Sequence, residues 1–298
     1  MRLVMPTKSA LNVVIVNYRT PDLTIRCVQS IIDQGVAKPE DIVVVDNRSP
    51  DNSEQRLTKE LPGGVRFFQS GKNAGFGAGV NFGVRQTHSD YLLVLNPDTY
   101  FEFDSVSGVI DYLRTTPQVG LVGLDLINPD GSRQHSARRF YSFLDIAARR
   151  LPVIKTLFSS RNNRHLMLEK WKLDAPFDAE WVMGTGFIIR SDLYNRIGGM
   201  DESYFLYMED VDLCARVWCE GLKVQCIPGA KLVHDHQRSS AASPFSFAGR
   251  AHIKSLLLFR QNFTLPLFRS PGVDKVVKSF GKGPAALHSG QSASESRS

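Results

Sequence analysis

Apolar runs and polar punctuation alternate through the first hundred residues at a spacing that reads as strands separated by helices. Leu11 to Val16 is a short β-rich run, and Thr20-Pro21-Asp22 then supplies an N-cap and a proline at the first helical position, predicting a helix that closes near Gly35. Ile42 to Val45 predicts a second strand, Val65 to Phe68 a third and Tyr91 to Leu95 a fourth, with a Gly-rich helical segment from about Gly77 to Gln86 before the last. Alternation of this kind predicts a mostly parallel sheet covered on both faces. Further along, Trp181 to Gly186 reads as a turn running into a buried strand, Leu213, Val217 and Trp218 recur at helical spacing up to Gly221, and Lys223 to Ile227 and Lys231 to His234 read as two last strands.

Polar residues stand where three of the strands end: Asn17-Tyr18, Asp46-Asn47 and Asn96-Pro97-Asp98. Turn chemistry accounts for any one of them. Three at the carboxyl ends of a parallel sheet point instead to a ligand crevice. A second concentration of polar groups, Glu209, Asp210 and Asp212, falls in the first turn of the predicted late helix. The macrodipole favours acids there, and Asp212 with Arg216 has the spacing of an ordinary ion pair. The preceding Phe205-Leu206-Tyr207-Met208 is an apolar wall that would desolvate a carboxylate and raise its basicity, which makes this segment the candidate for a catalytic base.

With 298 residues, 42% hydrophobic and 22% charged, the chain is long enough for one large domain, expected over 1–270, with disorder confined to the ends and a tail over 271–298. Within it, 11–130 reads as one half and 131–270 as the other. The formal charge of +6 suggests an anionic partner: a nucleotide diphosphate, nucleic acid or an acidic membrane. Cys27, Cys214, Cys219 and Cys226 form no Cys-x-x-Cys pair and read as reduced thiols, which predicts a cytoplasmic protein. Neither a secretory leader nor an apolar run of about 18 residues is seen. The stretch 138–165 interleaves Arg138, Arg139, Arg149, Arg150, Lys155, Arg161 and Arg164 with Phe and Leu. In the absence of a nucleic-acid docking module, it predicts an amphipathic contact with an anionic membrane.

Two blocks carry a resemblance. Val44-Val45-Asp46-Asn47-Arg48-Ser49-Pro50-Asp51-Asn52-Ser53, Asn73-Ala74-Gly75 continuing to Asn81, and Leu95-Asn96-Pro97-Asp98-Thr99 form one; Met200-Asp201-Glu202-Ser203-Tyr204-Phe205-Leu206-Tyr207-Met208-Glu209-Asp210-Val211-Asp212-Leu213, ending at Arg216, is the other. Together they resemble family 2 glycosyltransferases over about residues 11 to 260. The basic stretch from Arg138, Trp181 to Gly186, and Ala251-His252-Ile253-Lys254-Ser255 are similar to the bacterial rhamnosyltransferase-like branch. The resemblance implies a GT-A type α/β fold, a nucleotide-sugar-binding half fused to an acceptor-binding half, and inverting transfer of a sugar, with rhamnose from dTDP-rhamnose as the expected donor and UDP-sugars as the alternative. It implies donor contacts at Asn17, Asp46, Asn73, Asn81, Asn96 and Asp98, acceptor contacts at Trp181, Gly184 and Thr185, and Asp210 as base with Glu209 beside it. It further implies Mg²⁺ or Mn²⁺ held by Asp98 and His234, with His236 close enough to compete for the role, and a glycan or polyprenyl-diphosphate-linked acceptor met peripherally at the inner face of the plasma membrane. Asn96 departs from the family pattern, standing where a first Asp is often found and giving the cation one negative charge fewer. A sugar nucleotidyltransferase is the rival enzyme, but it wants a Gly-rich basic loop where this chain has Asn17-Tyr18-Arg19-Thr20-Pro21; a non-catalytic glycan-binding protein is the rival from another class.

Overall fold

β1 (Ser9–Asn17) is buried almost from end to end because it lies inside a parallel sheet with helices on either side. The computed structural model describes residues 9–150, 159–235 and 247–280. Along the chain follow α1 (Pro21–Asp33), β2 (Ile42–Asp46), α2 (Ser53–Glu60), β3 (Arg66–Gln69), α3 (Phe76–Val84), β4 (Ser89–Leu95), β5 (Thr99–Tyr100), α4 (Ser107–Thr115) and β6 (Val119–Ile127). The second half holds the short strands β7 (Ala137–Arg138), β8 (Phe177–Asp178) and β9 (Trp181–Val182), then β10 (Gly186–Arg190), the Glu209–Cys219 helix and β11 (Lys223–His234). The described strands form a nine-stranded sheet in the order β3-β2-β1-β4-β10-β6-β11-β5 with β8 on β11, and a small ribbon of β7 and β9.

β1, β2, β3 and β4 run parallel, whereas β10 lies antiparallel between β4 and β6 and joins the two halves into one sheet. Alternation along β1 sends Val14 and Val16 to one face and Val13 and Ile15 to the other. The first face packs against α3 and the Glu209–Cys219 helix, the second against α1, α2 and α4. α3 comes close because its inner side is glycine: a Cβ on Gly79 would stand 2.7 Å from Val16, and one on Gly83 2.6 Å from Val14.

Four expectations change. Thr20 does not cap α1 with its side chain; Asn17 Oδ1 accepts from the Thr20 N–H at 3.2 Å and from Thr24 Oγ1 at 2.9 Å, so the end of β1 holds the start of the helix. The two last strands are one, β11, whose ladder with β6 slips between Cys226 and Lys231, where Gly229 N–H donates to buried Asp125 at 3.0 Å. The expected tail begins with a helix, Gly272–Ser279: Val273 and Val276 face the core three residues apart, and Phe280 stacks on Phe263. Finally, the basic stretch is not one amphipathic helix. Arg138 is buried in β7, Arg139 pairs with Glu180 at 2.9 Å and Arg161 with Asp145 at 2.5 Å. The side chains of Arg149 and Arg150, the segment containing Lys155, His236 and residues 281–298 lie outside the described residues.

Candidate active site

The carboxyl ends of β1 and β2 meet through their side chains. Asn17 Nδ2 donates to Asp46 Oδ1 at 2.7 Å, Ser49 Oγ donates to the same oxygen at 2.6 Å, and the Ser49 N–H and Gln69 Nε2 donate to Oδ2 at 3.0 and 3.3 Å. Asp46 is wholly buried, and these four donors engage its carboxylate in shaping the β2 loop. Asn47 extends the network to the next loop: its Nδ2 donates to Gly75 O at 2.9 Å and Asn73 Oδ1 at 3.1 Å, and Asn73 Oδ1 also accepts the Gly75 N–H.

Asn81 does not join this group. Its amide donates to Met200 O and Glu202 and accepts from Tyr194 OH and the Met200 N–H, which uses both donors and both lone pairs. It fastens α3 to the chain around Met200 and Glu202, whereas Asn73 stands in the loop before α3.

Asp98 and His234 are brought together by the antiparallel register of β5 on β11, where His234 faces Thr99. His234 Nε2 lies 3.3 Å from Asp98 Oδ2, and the Asp235 N–H donates to Asp98 O at 2.9 Å. Asp98 Oδ1 is buried and has no hydrogen-bond partner among the described residues. A carboxylate oxygen without a donor, beside an imidazole nitrogen, fits a divalent cation with mixed oxygen and nitrogen ligation. No group of three or more His, Cys, Asp or Glu among the described residues forms a complete cage, so the fit is to a cation that takes its remaining ligands from elsewhere. Asn96 reaches the opposite half through its backbone, donating its N–H to Thr185 O at 2.9 Å.

From Thr185 the path to the acids is one residue long. The Gly184 N–H donates to Asp210 Oδ2 at 2.9 Å while the Val211 N–H donates to Oδ1 at 2.8 Å. A Cβ on Gly184 would stand 3.2 Å from that of Asp210, so the close approach suits glycine. Asp210 keeps some exposure, whereas Glu209 is buried with its Oε2 unpartnered among the described residues. Burial pushes the Glu209 carboxyl up to about 8, and the charge of Asp210 adds to the effect. Burial raises Asp210 as well, opposed by its two backbone N–H donors and by the nearby positive charge of Arg138. Asp212 has the other role foreseen for this turn: its Oδ2 binds Arg216 Nε at 2.7 Å, and Arg216 Nη1 donates to Ile197 O and Gly199 O.

The helix is entered through strain. Tyr207 and Met208, both with side chains, take left-handed φ values of 68° and 70°, and the loop ahead of them presses on Gly75, where a Cβ would lie 2.3 Å from Phe205 O. Ser255 Oγ donates to Leu206 O at 2.9 Å and the His252 ring lies 5.2 Å from that of Tyr207, so the Phe247–Asn262 helix braces the loop from outside. Trp181, expected at the acceptor, is buried: Nε1 donates to Arg139 O at 2.9 Å and the ring packs on Tyr141. It stiffens the wall behind Gly184 instead. Sequence reading missed Arg138 as a neighbour of Asp210 and Gln134 as a neighbour of His234, which it touches at 2.7 Å through Nδ1. The turn signal Asn128-Pro129-Asp130-Gly131 was the available clue to Gln134, but it marks a chain reversal without saying what the returning strand meets.

The family model for glycosyl transferase family 2 matches residues 12–194, and the chain belongs to that family and is a glycosyltransferase. Among curated proteins, the N-acetylglucosaminyl-diphospho-decaprenol L-rhamnosyltransferase of Mycobacterium tuberculosis is 28% identical over 246 residues, covering 78% of each chain. Among solved structures, the mannosyltransferase PcManGT from Pyrobaculum calidifontis, in complex with GDP-Man and Mn²⁺, aligns with a TM-score of 0.60 at 14% identity, covering 97% of this chain and 77% of that one. GalNAc-T7 with UDP, GalNAc and Mn²⁺ aligns with a TM-score of 0.59 at 14% identity over 87% of this chain, which spans about half (49%) of that protein. The fold is thus of the GT-A type, as the motifs implied.

Proposed function

We propose that the chain is an inverting rhamnosyltransferase that moves rhamnose from dTDP-rhamnose to a hydroxyl of a polyprenyl-diphosphate-linked glycan during cell-surface polysaccharide synthesis. The observation that carries the reading is the placement of Asp210, clamped by the Gly184 and Val211 N–H groups one residue from the strand junction that leads to Asp98. The named activity of the mycobacterial relative supports rhamnose and a lipid-linked acceptor.

In this reading Asp210 accepts the proton of the acceptor hydroxyl as its oxygen attacks the anomeric carbon. The new carbon–oxygen bond forms on the face opposite the leaving diphosphate, the bond to the diphosphate breaks, and configuration inverts. Burial raises both carboxyls, and the two N–H donors on Asp210 oppose that rise, which favours Asp210 over Glu209 as the proton acceptor. One base suffices, because a diphosphate leaves by charge neutralisation and needs no protonation, unlike the glycosidase case with its second carboxyl. A divalent cation held by Asp98 and His234 would supply that neutralisation. Asn17, Asp46, Asn47 and Asn73 shape the loops that take the donor's nucleoside end.

No helix of the described residues is long and apolar enough to cross a membrane. We place the protein peripherally at the inner face of the plasma membrane, supported by exposed Leu267 and Phe268 followed by Arg269, and by a lipid-linked acceptor. The test is incubation with labelled sugar nucleotides: acceptor-dependent release of dTDP from dTDP-rhamnose is expected. Release of pyrophosphate would indicate a nucleotidyltransferase, and binding without turnover a glycan-binding protein.

A further inference from the structure

The imidazole of His234 is held from behind by the Gln134 amide, whose nitrogen end is fixed by a backbone carbonyl and by the Asn128 side chain. Asn128 Nδ2 donates to Ser132 O at 3.3 Å and Ser132 Oγ at 2.8 Å, which turns Asn128 Oδ1 the other way. That oxygen accepts from Gln134 Nε2 at 2.7 Å, and the same Nε2 donates to His234 O at 2.8 Å. A carbonyl oxygen accepts only, so the Gln134 nitrogen is fixed on that side and its Oε1 is the atom facing His234 Nδ1, 2.7 Å away. Oε1 accepts only, so Nδ1 carries the hydrogen. In the neutral ring the lone pair is therefore on Nε2, aimed at the space it shares with Asp98 Oδ2, 3.3 Å off.

Histidine free in water prefers the opposite tautomer, with hydrogen on Nε2, which would point a proton at the cation site. We propose that Gln134, oriented by the 128–132 turn, is a positioning residue that locks His234 in the Nδ1–H form and so presents Nε2 to the divalent cation. The proposal rests on the metal-bound reading of Asp98 and His234 and adds the residues that prepare it. The turn is built for the task by its own chemistry: the Asn128 N–H donates to Ser132 O at 2.7 Å, Gly131 takes φ 82°, and the Gln134 N–H donates to Leu126 O at 2.8 Å. Gln134 is thus fixed by backbone as well as side chain.

The experiment uses the whole protein with Mn²⁺ and dTDP as probes. Partners behind a metal-bound histidine typically carry about 10- to 100-fold in metal affinity. Gln134→Met should weaken Mn²⁺ binding, followed by electron paramagnetic resonance, within about that range, and Asn128→Ala, in an exposed turn, should do so more mildly. The ¹⁵N resonances of the His234 ring in metal-free protein should show the Nδ1–H pattern in the wild type and its loss in Gln134→Met. Wild-type Mn²⁺ affinity in both variants, with an unchanged ring pattern, would overturn the proposal. If Asp98→Ala and His234→Ala also bind Mn²⁺ normally, the metal reading has failed, and the ring pattern still decides whether Gln134 sets the tautomer.

Discussion

Glu209 and Asp210 are neighbours in sequence with different hydrogen-bond surroundings, and the proposed roles follow from that difference. Asp210 has two backbone donors and access to solvent; Glu209 is buried with an oxygen unpartnered among the described residues. Asp210→Asn keeps shape and hydrogen bonding but removes the proton acceptor, so turnover should fall by about 10²- to 10⁴-fold at near-normal donor affinity, measured by steady-state kinetics and donor titration. Glu209→Gln should cost less; the reverse order would move the base to Glu209. The same residue predicts a pH effect. Its folded pKa of about 8 exceeds the ordinary 4.5, so the fold binds that proton more tightly than the unfolded chain does. The resulting stabilisation is complete below the unfolded value and drains away as pH rises towards about 8. Thermal unfolding across that window should therefore show a shallower fall with pH in Glu209→Gln than in the wild type.

At the scale of elements, the Glu209–Cys219 helix is anchored on two faces by different acids. Asp210 ties it to the start of β10, and Asp212 with Arg216 ties it to the loop at 197–199. The second tie is structural: the Asp212 side chain is 1% exposed and that of Arg216 13%, so the pair is largely shielded from water. Removing one partner leaves the other charge buried. Arg216→Met should cost about 3–5 kcal/mol in urea unfolding, and adding Asp212→Leu should recover much of it. Recovery in the double variant would separate the ion pair from the chemistry, since Asp210 remains in place in both. A small loss in the single variant would mean that water reaches the pair.

Taken whole, the molecule joins its parallel first half to the second half through one antiparallel strand, β10, and the proposed donor and base sites flank that junction. Asn96 N–H on Thr185 O and Gly184 N–H on Asp210 are consecutive ties, so the loop after β4 is linked to Asp210 through two adjacent residues. The membrane reading belongs at this scale as well. Arg138 is buried and Arg139 and Arg161 are held in ion pairs, and Arg149 and Arg150, at the end of the Phe143–Arg150 helix, are the residues to test. Reversing both to Glu should weaken sedimentation with anionic vesicles at low salt while sparing turnover on a soluble acceptor analogue, with about 1 kcal/mol at stake per charge. Equal sedimentation of variant and wild type would remove an electrostatic anchor from that helix.

The sequence alone was enough for the parallel first half, because strands buried on both faces must read as unbroken apolar runs such as Val13 to Val16 and Ile42 to Val45. It also marked the acid-rich helix start and the strand-end polar clusters, since hydrophobic period and turn chemistry are local properties. What it left undecided were choices among similar residues at long range. Asn73 and Asn81 look alike in the chain, yet only contacts with residues near 200 put Asn81 to work as a clasp. Three acids in one helical turn met different surroundings, Asp210 a pair of backbone donors, Glu209 burial and Asp212 an ion pair, because Gly184 and Arg216 lie on different sides of that turn. Trp181 turned inward, and Val273 with Val276 found a core that composition near the C-terminus gave no sign of. Local pattern fixes which segments fold and which face is apolar; the partner of a polar side chain is set by whatever distant segment the fold brings within 3 Å or so of it, and only the tertiary structure supplies that.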